Sequence, residues 1–142
     1  DRQAQGFQRG PKDALGQECC RLDSRMAMTG RLEELAQRAV VEWWSYRCRQ
    51  FGVPEFALMH YPSGGLRHKS TAGRLKAMGV RRGVPDLLIV WKGQVFFIEV
   101  KAPKGIQSPE QKAFEAMIEE NDCDYHLVRS VDDIANLFPK RA

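Results

Sequence analysis

No run of the 142 residues approaches the roughly 18 continuous apolar positions that a membrane-spanning helix needs. The opening stretch DRQAQGFQRGPKDALGQECC holds no apolar segment that could act as a secretory signal. A soluble, intracellular protein in the cytoplasm, without membrane contact, is the expectation. Four cysteines (Cys19, Cys20, Cys48, Cys123) are present, but no two are separated by the two or three positions that zinc-ligand pairs require. Reduced thiols in a reducing compartment fit this pattern better than disulfides. His60, His68 and His126 are scattered, with no metal-ligand spacing among them. Repeats and low-complexity tracts are also missing.

The most informative absence is local. Between Phe56 and Pro85 there is no Asp or Glu, while Arg67, Lys69, Arg74, Lys76, Arg81 and Arg82 are all basic. An uncompensated positive stretch of this kind suits a polyanion, although a solvated surface segment would read the same way.

With 43% apolar side chains, the chain is long enough for one domain with a core. Residues 1–28 mix Gln, Gly, Arg and Pro without sustained periodicity and read as a flexible arm or upstream sequence. Residues 29–142 carry the domain. Thr29 is a candidate N-cap for an amphipathic helix whose apolar stripe is Leu32, Leu35, Ala36, Ala39, Val40, Trp43 and Trp44. At about 100° per residue Glu33 falls inside that stripe and Glu34 outside it. A carboxylate directed at a core needs compensation, unless Glu33 lies at the stripe's edge and reaches water.

FALMHY predicts a short strand from Phe56, PSGG a turn, and STAGRLKAMG a helical turn or two. In SPEQKAFEAMIEEN, Ser108 as N-cap, Pro109 at N1 and Gln111 at N3 form a capping-box start. Ala113, Phe114, Met117 and Ile118 are the expected buried face. YHLV, from Tyr125 to Val128, predicts a further strand, and Ser130 opens a last short helix.

Between them lies GVPDLLIVWKGQVFFIEVK, Gly83 to Lys101, whose single turn signal is Lys92-Gly93. A two-residue loop there makes an antiparallel hairpin in which Val90 opposes Val95 and, counting outward, Asp86 opposes Glu99. Directly opposed residues share a face about 5 Å apart, and Lys101 shares it too. Both hairpin faces are otherwise apolar, so the sheet is expected to be covered on both sides in an α/β fold. Two carboxylates there repel each other and lose hydration. Either Asp86, Glu99 and Lys101 form an ion-paired cluster at a strand end, or they hold a divalent cation. Hard oxygen ligands favour magnesium or manganese, and the adjacent ammonium suits phosphoryl chemistry. The register, the preceding basic segment and Glu33 together favour the cation.

These residues resemble a known signature. GVPD followed by IEVK looks like the PD-(D/E)XK nuclease motif, and KAMGVRRGVPDLLIV with FIEVKAPKGIQSPEQKAF resembles its VRR-Nuc branch, of the standalone, phage type. The resemblance implies a restriction-endonuclease-like core, a mixed β-sheet flanked by α-helices. It implies an Mg2+- or Mn2+-dependent endonuclease in which Asp86, Glu99 and the Val100 backbone carbonyl bind metal, with Glu33 as a further candidate ligand. Lys101 would position the attacking water. Glu33 with Gln37 matches the family's helix motif, and Gln111 a recurrent glutamine near the active site. Arg67, Lys69, Arg74, Lys76, Arg81 and Arg82 would bind DNA. Standalone relatives imply a homodimer acting on branched DNA such as four-way junctions. Ser63 departs from the family pattern, standing where relatives often carry asparagine. A sequence-specific restriction-type enzyme and a catalytically silent nucleic-acid-binding module are the alternatives.

Overall fold

The computed structural model describes the backbone of residues 13–61 and 69–138, with side chains from residue 24 onward except at 69 and 70. The expected turn at PSGG, Ser63 and Arg67 lie outside the described residues, as does the side chain of Lys69.

A long helix α1 (Asp13–Phe51) leads through a 3-10 turn (Glu55–Ala57) into β1 (Leu58–His60). Then come α2 (Lys69–Ala77), β2 (Leu87–Trp91), β3 (Gln94–Val100), α3 (Pro109–Glu120), β4 (Asp124–Val128) and α4 (Val131–Leu137). The four strands form one sheet in the order β1-β2-β3-β4. The first two pairings are antiparallel and β3 with β4 is parallel. This is the expected mixed α/β sheet flanked by helices. The parallel pair needs a crossover, which α3 supplies.

The β2–β3 hairpin turns at Lys92 and Gly93, both at positive φ as a two-residue turn of this hand demands. Its register runs from Trp91 opposite Gln94 out to Leu87 opposite Ile98, which makes Asp86 and Glu99 the next facing positions.

On one face of the sheet, Leu87, Ile89, Phe96 and Ile98 are buried against Val40, Trp44 and Cys48 of α1 and Ile134 and Phe138 at α4. Each such side chain contributes about 1.5–3 kcal/mol. Phe138 sits 5.0 Å from Phe96, 5.2 Å from Trp91 and 5.8 Å from Trp44 between ring centroids, so α4 is locked down by an aromatic cluster.

The opposite face departs from expectation. Phe97 meets Phe114 of α3, yet Val90, Val95 and Met59 are exposed. The reason is that α3 covers only the end of the hairpin nearer the carboxylates. On α3 itself the inward line is Gln111, Phe114, Glu115 and Ile118, while Ala113 and Met117 are exposed rather than buried. Gln107 donates a 2.9 Å hydrogen bond to Glu115 on that line.

Helix α1 also differs from the sequence reading. It runs straight through the expected boundary at 28–29, so Thr29 is not an N-cap; its hydroxyl donates to the Arg25 carbonyl one turn back. Leu32 and Leu35 are exposed because at this level of α1 Glu33 and Gln37 face inward, toward Lys101 and His60, which turns both leucines outward. The line that turns inward is Glu33, Gln37, Val40, Trp44 and Cys48.

Candidate active site

Four segments converge at one end of the hairpin. Asp86 immediately precedes β2, Glu99 lies in β3, Lys101 follows it, Glu33 comes from α1, and Gln111 is the N3 residue of α3. Strand pairing sets Asp86 against Glu99, and the Asp86 carboxylate is fixed by the Val100 N–H, which donates to Oδ2 at 3.0 Å.

Glu99 is almost fully buried, at 1% exposure. Its Oε1 faces Lys101 Nζ at 3.0 Å and accepts a hydrogen bond from Gln111 Nε2. Its Oε2 has no hydrogen-bond partner among the described residues. Burial, reinforced by the Asp86 carboxylate and only partly offset by Lys101, pushes the Glu99 carboxyl up to about 7. Burial raises Asp86 as well, against the lowering effects of the Val100 N–H and Lys101.

Lys101 lies between two carboxylates, with Glu33 Oε1 at 3.7 Å on its other side. Glu34, by contrast, points outward and pairs with Arg38 at 2.7 Å. With every group ionised, the cluster of three carboxylates and one ammonium carries two surplus negative charges.

Two glycines allow the segments to meet. Gly83 has φ +81°, and a methyl group there would sit 2.3 Å from the Glu110 carbonyl oxygen, so only glycine lets the loop before Asp86 abut the start of α3. A methyl group at Gly105 would lie 3.0 Å from Glu33 Oε1 and 3.2 Å from the Ala102 carbonyl oxygen. Gln111 is held by its cap: its Oε1 accepts the Ser108 N–H at 2.8 Å, which aims Nε2 at Glu99. Arg129 ties down the loop after Lys101 by donating to the Ala102 and Pro103 carbonyls.

The basic residues are distributed differently. Arg74 and Lys76 are exposed in the last turn of α2, and Arg82 is exposed in the loop that follows. Arg81 donates from Nη1 to the Lys76 carbonyl at 3.0 Å and thereby closes the end of α2. That gives it a helix-capping role alongside any contact with a polyanion.

The donor set fits a hard divalent cation. Asp86 and Glu99 are opposed carboxylates, one buried Glu99 oxygen has no donor among the described residues, and the local charge is negative. Among the described residues no group of three or more His, Cys, Asp or Glu side chains is arranged to hold a metal ion. Glu33 is directed at Lys101 rather than joining the acidic pair. A pair of carboxylates completed by carbonyl and water oxygens is the usual set for magnesium.

His60 and Gln37 complete the surroundings of Asp86 and carried no signal of their own in the bare sequence apart from Gln37 standing one helical turn after Glu33. His60 Nδ1 lies 2.8 Å from the Asp86 carbonyl oxygen and 2.9 Å from the Gln37 side-chain amide.

No helix among the described residues is long and apolar enough to cross a membrane. Among curated proteins none matches the chain. A solved structure described as a "VRR_NUC domain protein" shares the fold with a TM-score of 0.58 at 24% identity, over 74% of this chain and 83% of that one. The family model of the VRR-NUC domain matches residues 31–132, a span that contains Glu33, Asp86, Glu99, Lys101 and Gln111. The chain therefore belongs to the VRR-NUC domain family, and its function is of nuclease type.

Proposed function

We propose that the protein is a magnesium- or manganese-dependent endodeoxyribonuclease of the PD-(D/E)XK kind, selective for branched DNA such as four-way junctions and acting as a homodimer. The observation that carries this reading is the buried Glu99 carboxylate, opposed to Asp86 and clamped by Lys101 and Gln111 on one oxygen while the other has no partner among the described residues. Such an arrangement is costly unless a cation or a proton relieves it.

Asp86, Glu99 and the Val100 carbonyl would hold the cation. When bound, it supplies positive charge for the developing negative charge on phosphate and departing oxygen. The protein's own groups do the rest. Lys101 Nζ orients a water for in-line attack on the phosphorus, so that a P–O bond forms as the bond to the leaving oxygen breaks, the water giving up a proton to solvent and the departing oxygen taking one from it. Glu33 holds the ammonium in place from the side opposite Glu99. Gln111 fixes Glu99 through its cap. Arg74, Lys76 and Arg82 neutralise backbone phosphates, giving affinity and salt sensitivity without a sequence code. A twofold dimer would present two such sites to the symmetric strands of a junction.

The test incubates the protein with labelled four-way junction, flap and matched linear duplex, in manganese, magnesium or EDTA, beside Asp86→Asn. Paired metal-dependent incisions near the junction centre, lost in the variant, are expected. Cutting of one sequence in linear duplex would indicate a restriction-type enzyme. Binding without cutting in any metal would leave a DNA-binding module.

A further inference from the structure

Asp86 is gripped at both ends. The Val100 N–H holds its carboxylate, and its main-chain carbonyl accepts the Tyr61 N–H at 2.9 Å while facing His60 Nδ1 at 2.8 Å. The Tyr61–Asp86 bond continues the β1–β2 ladder one step past His60 opposite Leu87. With only three residues, β1 is a short edge strand, and the end of such a ladder frays readily. His60 is exposed, so it adds little to the core.

The 2.8 Å contact calls for a proton on Nδ1, because a carbonyl oxygen offers only lone pairs. Gln37 Nε2 stands 2.9 Å from the same nitrogen, and two donors would repel there, so the amide turns over to present its oxygen and the single Nδ1–H is shared between the Asp86 carbonyl and the Gln37 side chain. In the neutral ring Nε2 is left unprotonated. Gln37 lies one turn from Glu33 on the inward line of α1.

We propose that His60, as its Nδ1–H tautomer and together with Gln37, is a positioning residue for the nuclease site. It clamps the main chain of Asp86 to the turn of α1 that carries Glu33, and so sets the separation of Asp86 from Glu99. The role rests on the nuclease reading above. Partners one step removed from a metal ligand commonly govern metal affinity or activity by about 10- to 100-fold.

Three substitutions separate the two ring nitrogens. His60→Asn places an amide where Nδ1 stands, His60→Gln places one where Nε2 stands, and His60→Ala removes both. Manganese binding is followed by electron paramagnetic resonance on the full chain without DNA, alongside kcat and KM for cutting. Long-range nitrogen-15 spectra, taken where the ring is neutral and assigned by loss of signal in His60→Asn, read the tautomer.

His60→Ala is expected to lose roughly tenfold in manganese affinity and in kcat, with KM for DNA unchanged. His60→Asn should recover to within about threefold of wild type and His60→Gln should not, on the same scale of effect. An Nε2–H tautomer, wild-type binding and turnover in His60→Ala, or rescue by Gln in place of Asn would each overturn the proposal. A wild-type chain that neither binds manganese nor cuts would overturn the nuclease reading and this role with it, while an Nδ1–H spectrum would still separate that outcome from failure of the clamp itself.

Discussion

Gln111 and Glu99 are joined by a hydrogen bond from the amide nitrogen to a buried carboxylate oxygen, made by the same side chain that caps α3. The bond to Glu99 accounts for glutamine over glutamate here: either could accept the Ser108 N–H, but only the amide has a donor left for Glu99. Gln111→Glu should therefore keep thermal stability near wild type, yet slow cutting at least tenfold by setting a second carboxylate against Glu99. Gln111→Ala should lose about 1 kcal/mol of stability as well, through the broken cap. Thermal melts beside initial rates distinguish the two, and equal rates in Gln111→Glu would remove Gln111 from the site.

Stability should depend on pH in a defined direction. Burial pushes the folded Glu99 carboxyl up to about 7, from an ordinary value of 4.5. Between those values the folded chain holds a proton that the unfolded chain has released. Stability of the metal-free protein therefore falls as pH rises from about 4.5 through 7, by on the order of 3 kcal/mol from this group. The raised Asp86 carboxyl acts in the same sense. Denaturant unfolding across this range, in wild type and Glu99→Gln, measures it; the variant should show a flatter profile. Manganese should abolish the decline, since a cation replaces the proton.

Two neighbouring glutamates on α1 should behave oppositely. Glu33→Gln removes a carboxylate facing Lys101 and should cut turnover at least a hundredfold, on the scale of losing one preorganised charged group. Glu34→Gln removes an exposed one-turn ion pair, worth about 0.5 kcal/mol or less. Its rate should match wild type. A normal rate in Glu33→Gln with a dead Glu34→Gln would reverse the assignment of the helix face.

Gly83→Ala should damage stability and turnover together. Its methyl group meets the Glu110 carbonyl and its backbone sits at positive φ, so the start of α3, and Gln111 with it, must move. A loss of about 1–3 kcal/mol in unfolding experiments is expected. Unchanged melting and activity would show that the loop and helix separate without consequence.

Much of the site was legible because its determinants are local. One turn signal, Lys92-Gly93, settles the register that opposes Asp86 and Glu99, and helical spacing separates Glu33, within the apolar stripe, from Glu34 outside it, while leaving open whether Glu33 faces the core or reaches water. The capping box at Ser108 and Gln111 is equally a matter of four consecutive residues. What failed depended on how one element sits over another. Leu32 and Leu35 are as apolar as Val40, but Glu33 and Gln37 take the inward positions at that level of α1 and the leucines point away. Val90 and Val95 sit beyond the cover of α3. The Gln37–His60 contact joins segments 23 positions apart, and no spacing rule anticipates it.

The dispersal of the site along the chain couples activity to the completion of folding. The hairpin is formed from neighbouring residues and can bring Asp86 and Glu99 together early, since local pairings carry the smallest entropic cost of closure. Glu33 arrives only when α1 docks, and Gln111 only when the crossover to β4 has closed. A partly folded chain thus displays the acidic pair without the groups that hold Lys101 and Glu99 in register. On the proposed mechanism, a chain in which α1 or α3 has yet to dock would lack cutting power, and activity would appear only with the native arrangement.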